Sequence, residues 1–213
     1  MNGRLTEHSE TELKMEAGPS FTVPDLTSLA DGLTVTEPEV RLLDARYFDT
    51  PDQRLAEAGI TLRRRTGGTD AGWHLKLPVS AGTRRELQAP LGDAETVPPQ
   101  LAEQVSRWVR NQPLQVVATL ETRRTVRYLR TEDGTTLAEV ADDLVTGRVP
   151  GPGNAPGEPV TWREIEVELV DGGPEILDTA RSRLAAAGAR PSSSASKLSR
   201  LLGSQAGGAA GGA

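Results

Sequence analysis

The sequence predicts an α+β protein built on an antiparallel sheet or barrel, with helices inserted between strands. Two observations predict it. Charged and apolar residues alternate with period two through most of the 213-residue chain, which is the pattern of strands with two unlike faces. Helical spacing is confined to three stretches.

Taken in order, Glu10-Thr11-Glu12-Leu13-Lys14-Met15 is the first alternating run. A strand follows at about 40–47. Pro51 to Ala58 reads as a short helix, with Asp49 or Thr50 able to cap it and Gly59 to end it. Strands are predicted at 60–66, at Trp73-His74-Leu75-Lys76-Leu77 and at 83–89. Pro98 to Arg110 carries leucine, valine and tryptophan at helical spacing. Long strands at 114–129 and 135–147 lead to a Pro- and Gly-rich loop at 150–159. Glu164-Ile165-Glu166-Val167-Glu168-Leu169 alternates again, and 175–187 reads as an alanine-rich helix. The Gly/Ala-rich end reads as a flexible tail.

Composition removes several functions. With no cysteine, disulfides, thiolate metal sites and cysteine nucleophiles are excluded. His8 and His74 are the only histidines, so a metal would take oxygen ligands, which suits hard divalent cations. A net charge of -6 and an aromatic content of 3% argue against nucleic acid, which needs basic surface and stacking rings. No apolar run reaches the roughly 18–20 residues of a membrane span, and the polar N-terminus lacks a signal-peptide core. A cytoplasmic protein with no membrane partner is expected.

The polar faces carry the functional signal. Glu10 and Glu12 share a strand face, as do Glu164, Glu166 and Glu168, and as do Arg63 and Arg65. Such neighbours sit about 6.6 Å apart. At an effective dielectric of 20 two like charges there repel by about 2.5 kcal/mol. Solvent-facing strands tolerate this, whereas inward-facing ones need opposite charge across from them. Acidic Glu10, Glu12, Glu86, Glu164, Glu166 and Glu168 and basic Lys14, Arg63, Arg65, Lys76, Arg84 and Arg124 lie on different strands, each backed by an apolar face. A barrel with those faces inward brings the two signs together across a lumen and leaves the apolar faces for helices to cover. Arginine forks and lysines suit phosphate oxygens, and clustered carboxylates suit a divalent cation bridging those oxygens. Arg64, Arg85, Arg127 and Arg130 read as solvated charges, Trp73, Trp108 and Trp162 as packing, and His74 as a polar filler of the lumen.

The residues resemble the CYTH domains of the triphosphate tunnel metalloenzymes. Glu10-Thr11-Glu12-Leu13-Lys14 is similar to their ExExK signature. Tyr47-Phe48-Asp49-Thr50, Leu62-Arg63-Arg64-Arg65, Gly72 to Pro78, Arg84-Arg85-Glu86, Arg123-Arg124-Thr125, Leu137 to Asp143, Glu164 to Glu168 and Ser196-Lys197 follow in the family's order. The resemblance covers a core of about 5–202 in a domain of 1–203, with 204–213 as tail. It implies an eight-stranded antiparallel β-barrel forming a tunnel with flanking helices, and magnesium- or manganese-dependent hydrolysis of a triphosphate, most plausibly inorganic tripolyphosphate.

The resemblance also implies roles. Glu10, Glu12 and Lys14 would be catalytic, and Glu10, Glu12, Glu86, Glu139, Asp142, Glu164, Glu166 and Glu168 would hold metal. Lys14, Arg63, Arg65, Lys76, Arg84, Arg124 and Lys197 would grip a small-molecule triphosphate or polyphosphate. Strand alternation sets Glu139 and Asp143 on one face and Asp142 on the other. Glu139 and Asp142 are nevertheless the expected pair, through a bulge that turns both inward. Adenylate cyclisation, thiamine triphosphate hydrolysis and polyphosphate binding without turnover are the competing readings.

Overall fold

Strand β1 (Thr6–Ala17) is the seam of the molecule. Its first half pairs with β6 (Thr83–Ala89) and its second half with β9 (Val160–Leu169), antiparallel in both cases. That double pairing closes a barrel in the computed structural model, which describes residues 4–209 apart from 30, 31, 81, 152, 154 and 156. From β6 the wall continues through β5 (Gly72–Ser80), β4 (Thr61–Thr66), β3 (Glu39–Asp49), β7 (Gln115–Arg130) and β8 (Thr136–Arg148) to β9. Eight strands form the closed wall. Short β2 (Thr34–Val35) is added to β7, and β10 (Arg190–Pro191) to β1.

The period-two pattern explains the two faces of this wall. Leu13, Met15, Val140, Ile165 and Val167 point outward into one core, covered by Ile176, Leu177, Ala180 and Leu184 of helix α3 (Glu175–Ala186). Leu62, Trp73, Leu75 and Leu87 point outward into another core, covered by Leu101, Val105 and Val109 of helix α2 (Pro99–Val109) and by Leu55 of the single-turn helix α1 (Arg54–Glu57). The start of α1 is fixed by both expected caps. The Asp49 carboxylate accepts from the Leu55 and Ala56 amides (2.9 Å each), and the Thr50 hydroxyl accepts from the Arg54 amide (3.1 Å). These bonds satisfy amides that a helix start otherwise leaves without partners.

Charge does not fill the whole interior. At one end Ala45, Tyr47, Ala118, Leu120, Val145 and Trp162 form an apolar layer, and Leu198 and Leu201 of helix α4 (Lys197–Ala209) pack onto it. Gly147 in β8 permits this approach, since a Cβ there would lie 2.9 Å from a Leu201 methyl and 3.2 Å from the Trp162 ring. Helix α4 runs into the stretch expected as a flexible tail. The Ser196 carbonyl accepts from the Arg200 amide in its first turn, and the two buried leucines anchor a helix that runs on through Ala209. Residues 210–213 of the expected tail lie outside the described residues. So do 152, 154 and 156 of the expected 150–159 loop, which does connect β8 to β9.

Candidate functional site: a charged tunnel

The inward faces enclose a cavity of about 250 Å³. Glu10, Glu12 and Lys14 enter it from β1, Arg63 and Arg65 from β4, Lys76 from β5, and Arg84 and Glu86 from β6. Arg124 enters from β7, Glu139 from β8, Glu166 and Glu168 from β9, and Lys197 from the start of α4. The register explains the grouping: Glu12 lies opposite Glu168, Lys14 opposite Glu166, and Lys76 opposite Glu86.

Three expected ligands stand elsewhere or do other work. Asp142 points out of the barrel. Its carboxylate takes a two-point bond from Arg163 (2.9 and 2.8 Å), and its neighbour Asp143 faces inward, fully buried. No bulge interrupts β8 there, so simple alternation decides which aspartate enters. Glu164 faces inward beneath the cavity floor, accepting from the Trp162 indole nitrogen (2.7 Å). Glu86, on the strand beside Glu10 and sharing Lys76 with it, is taken up by basic partners. His74 Nδ1 lies 2.5 Å from its carboxylate, Lys76 Nζ 3.2 Å and His8 Nε2 3.4 Å.

The inner floor of the tunnel is a closed ion network. Lys197 Nζ lies 2.9 Å from Asp143, 2.6 Å from Glu164 and 2.8 Å from Glu166. Arg124 donates twice to Asp143 (2.8 and 2.7 Å) and once to Glu166 (2.7 Å), with Glu139 at 3.7 Å. Lys14 joins Glu12 (3.1 Å) to Glu166 (2.8 Å). Burial works against each of these charges. For Glu166 the nearby Lys14, Lys197 and Arg124 charges outweigh it, and its carboxyl lies well below the usual range. For Lys14 the Glu166 and Glu12 charges likewise outweigh burial and hold the ammonium firmly protonated. Among the described residues, Asp143, Glu164 and Glu166 are the trio whose oxygens come within 4.8 Å of one another. The Lys197 ammonium already sits among them, so a metal there would have to displace it.

Above the floor the charges are less well matched. Arg63 and Arg65 each bury an Nε with no hydrogen-bond partner among the described residues. Arg63 reaches the Tyr47 hydroxyl at 3.4 Å, and Arg65 pairs with Asp70 through one terminal nitrogen. Burial, then the adjacent Arg63 and Arg124 charges, lowers Arg65 to about 9. On the opposite wall, burial and the Glu10 charge push Glu168 up to about 8. Glu10, paired with Lys76, is raised chiefly by burial. His74 is pushed down to about 4, by burial first and by Arg63 and Arg65 next, while its two ring nitrogens face the Glu86 carboxylate (2.5 Å) and the Asp70 carbonyl (2.9 Å).

Sequence reasoning missed Tyr47, Arg41 and Asp70 in the tunnel wall. Arg41 and Tyr47 share the inward face of β3, where the intervening Leu43 and Ala45 hide the charge pattern. Asp70 lies in the turn after β4, beyond the reach of strand alternation.

A closed eight-stranded barrel lined by opposed acids and bases is the architecture of a tunnel domain. The chain belongs to the CYTH domain family, whose description matches residues 8–202. Two uncharacterized Mycobacterium tuberculosis proteins, MT2285 and Rv2226, are each 43% identical to it over 211 residues. The match takes in 94% of the chain and 41% of those proteins, so the chain spans under half the length of these relatives. Its fold is similar to that of a candidate adenylate cyclase from Bacillus halodurans, with 21% identity, a TM-score of 0.58, and coverage of 91% of this chain and 97% of that one. It is also similar to the PH1819 protein of Pyrococcus horikoshii, with 18% identity, a TM-score of 0.51, and coverage of 92% and 99%. No helix among the described residues is long and apolar enough to cross a membrane.

Proposed function

We propose that this CYTH domain hydrolyses a triphosphate with the help of a divalent cation, magnesium or manganese, and that inorganic tripolyphosphate is the substrate. CYTH superfamily members act on triphosphates. The observation that carries the reading is the unmatched charge above the tunnel floor. One wall holds guanidinium groups with buried, unpartnered nitrogens; the other holds carboxylates whose burial, with their mutual repulsion, favours their protonated forms. A ligand that is anionic along its length and carries a cation at one side satisfies both walls at once.

Arg63, Arg65, Lys76 and Arg84 would bind phosphate oxygens, the arginines through two-point contacts. Lys14, Arg124 and Lys197 are locked into the carboxylate floor and would contribute positive charge from below. Glu10, Glu12 and Glu168 would hold the cation, with Glu139 and Glu166 beside them. Their chemistry fits a hard ion, since all offer oxygen and the repulsion among them is what a divalent charge relieves. When bound, such an ion draws charge from the phosphate oxygens and lowers the barrier to phosphoryl transfer. The chain's own contribution is to hold the phosphates in line and keep bulk water out of a narrow charged channel.

The lining of the cavity supports tripolyphosphate ahead of nucleotides in this reading. Its apolar lining is confined to Leu43, Tyr47 and Val170, which offers little surface on which a base could stack.

The test is orthophosphate release from tripolyphosphate, ATP, GTP and thiamine triphosphate with each of magnesium, manganese and calcium. Release from tripolyphosphate should need magnesium or manganese and fall by at least about a hundredfold in Glu12→Gln. Folded protein that binds tripolyphosphate but leaves it intact with every cation would mark a binding module. Pyrophosphate and cyclic AMP formed from ATP would mark a cyclase.

A further inference from the structure

Behind the tunnel lies a second cavity of about 410 Å³. Glu12, Lys14 and Arg84 line both cavities, so one layer of side chains divides them. Beyond that layer the walls are the β5–β6 turn, Arg181 on α3, and the serine-rich segment that leads into α4.

Two observations make this space more than a surface recess. The first is charge. Lys14, Arg84 and Arg181 line it against a single carboxylate, Glu12. Lys14 is already paired in the tunnel floor, but the Arg181 side chain makes no ion pair or hydrogen bond among the described residues, and it is exposed to whatever enters. The second is the divider itself. Arg84 lines the tunnel while its guanidinium donates to the Ala195 carbonyl. That neutral acceptor is weaker than a phosphate oxygen, so an anion passing the divider can take its place.

We propose that the rear cavity is a subsite for the distal phosphates of a linear polyphosphate longer than three units. The chain runs from the tunnel past Arg84, with Arg181 and Arg84 holding the overhang. This rests on the reading of the tunnel as a triphosphate site, and extends its ligand class from tripolyphosphate to longer chains. The surplus phosphates add contacts only in the rear cavity, so a longer chain should gain affinity that depends on Arg181.

Calorimetry on the intact chain in metal-free buffer tests this without turnover, using tripolyphosphate, tetrapolyphosphate and a longer linear polyphosphate. The longer ligands should bind about tenfold more tightly than tripolyphosphate. Arg181→Gln should erase that advantage and leave tripolyphosphate affinity as it was, and Arg181→Glu should reverse it. Arg181 is exposed on a surface helix, so both variants are expected to fold, and circular dichroism checks this. Equal affinity for short and long chains, or an Arg181 effect on all ligands alike, would overturn the rear subsite while leaving the tunnel reading intact. Failure of tripolyphosphate itself to bind would instead overturn the tunnel reading, and the rear subsite with it.

Discussion

Asp142 and Asp143 are adjacent in sequence and differ in everything that matters for the tunnel. Asp143 is fully buried and shared by Arg124 and Lys197. Asp142 pairs with Arg163 on the outer face. Removing one partner of a buried ion pair leaves the other charge uncompensated. Asp143→Asn should therefore cost about 3–5 kcal/mol, and Asp142→Asn about 1 kcal/mol, measured by urea denaturation. Equal costs would contradict the assigned faces. Alternation along 135–147 already told these two residues apart. The added assumption of a bulge obscured it, and the uninterrupted β8 register removes that assumption. Glu164 was legible as inward-facing but not as buried under Lys197, because that depends on where α4 lies.

At the scale of elements, strands were far more legible than the last helix. A strand announces itself by residues two apart, and the charges on β1, β4 and β9 made the inward face readable from the sequence. Helix α4 has no comparable signature. Its glycines and alanines resemble a linker, and its two buried leucines make sense only once the apolar end of the barrel exists to receive them. Leu201→Ala should cost about 2–5 kcal/mol through the cavity it leaves. It should also weaken phosphate binding, because α4 carries Lys197 into the floor. Gly147→Ala would press a methyl group against Leu201 and Trp162, costing about 1–3 kcal/mol. Thermal unfolding of the two variants, with tripolyphosphate affinity measured beside it, checks both expectations. A destabilised Leu201→Ala protein with unaltered ligand affinity would uncouple the helix from the site.

For the molecule as a whole, the tunnel trades stability for ligand affinity. Glu168 is pushed up to about 8, and Glu10 is raised as well. A carboxyl whose folded-state value is raised holds its proton more tightly folded than unfolded. Below about 6.5 the lowered His74 works the other way, since the unfolded chain then holds its proton more tightly. Between about 6.5 and 8 the carboxyls alone act, and the native chain loses stability as pH rises through that window. A divalent cation bound at these acids should reverse the trend, because it replaces the proton. Melting temperature scanned over that range should fall without cation and level off with magnesium or manganese. In Glu168→Gln the cation-free decline should be shallower. A melting temperature that climbs from pH 6.5 to 8 in metal-free buffer would contradict the unmatched charge described above.

Strand β1 sits between β6 and β9 at opposite ends of the sequence's long hairpin succession. Its outer half finds a partner some eighty residues away, but its inner half waits for residues 160–169. During synthesis β1 must therefore remain half-unzipped until residues 160–169 have emerged. Such delayed long-range pairing slows maturation and leaves sticky edges open on the ribosome. A circular permutant that fuses β1 directly behind β9 would let the same wall zip up from neighbours.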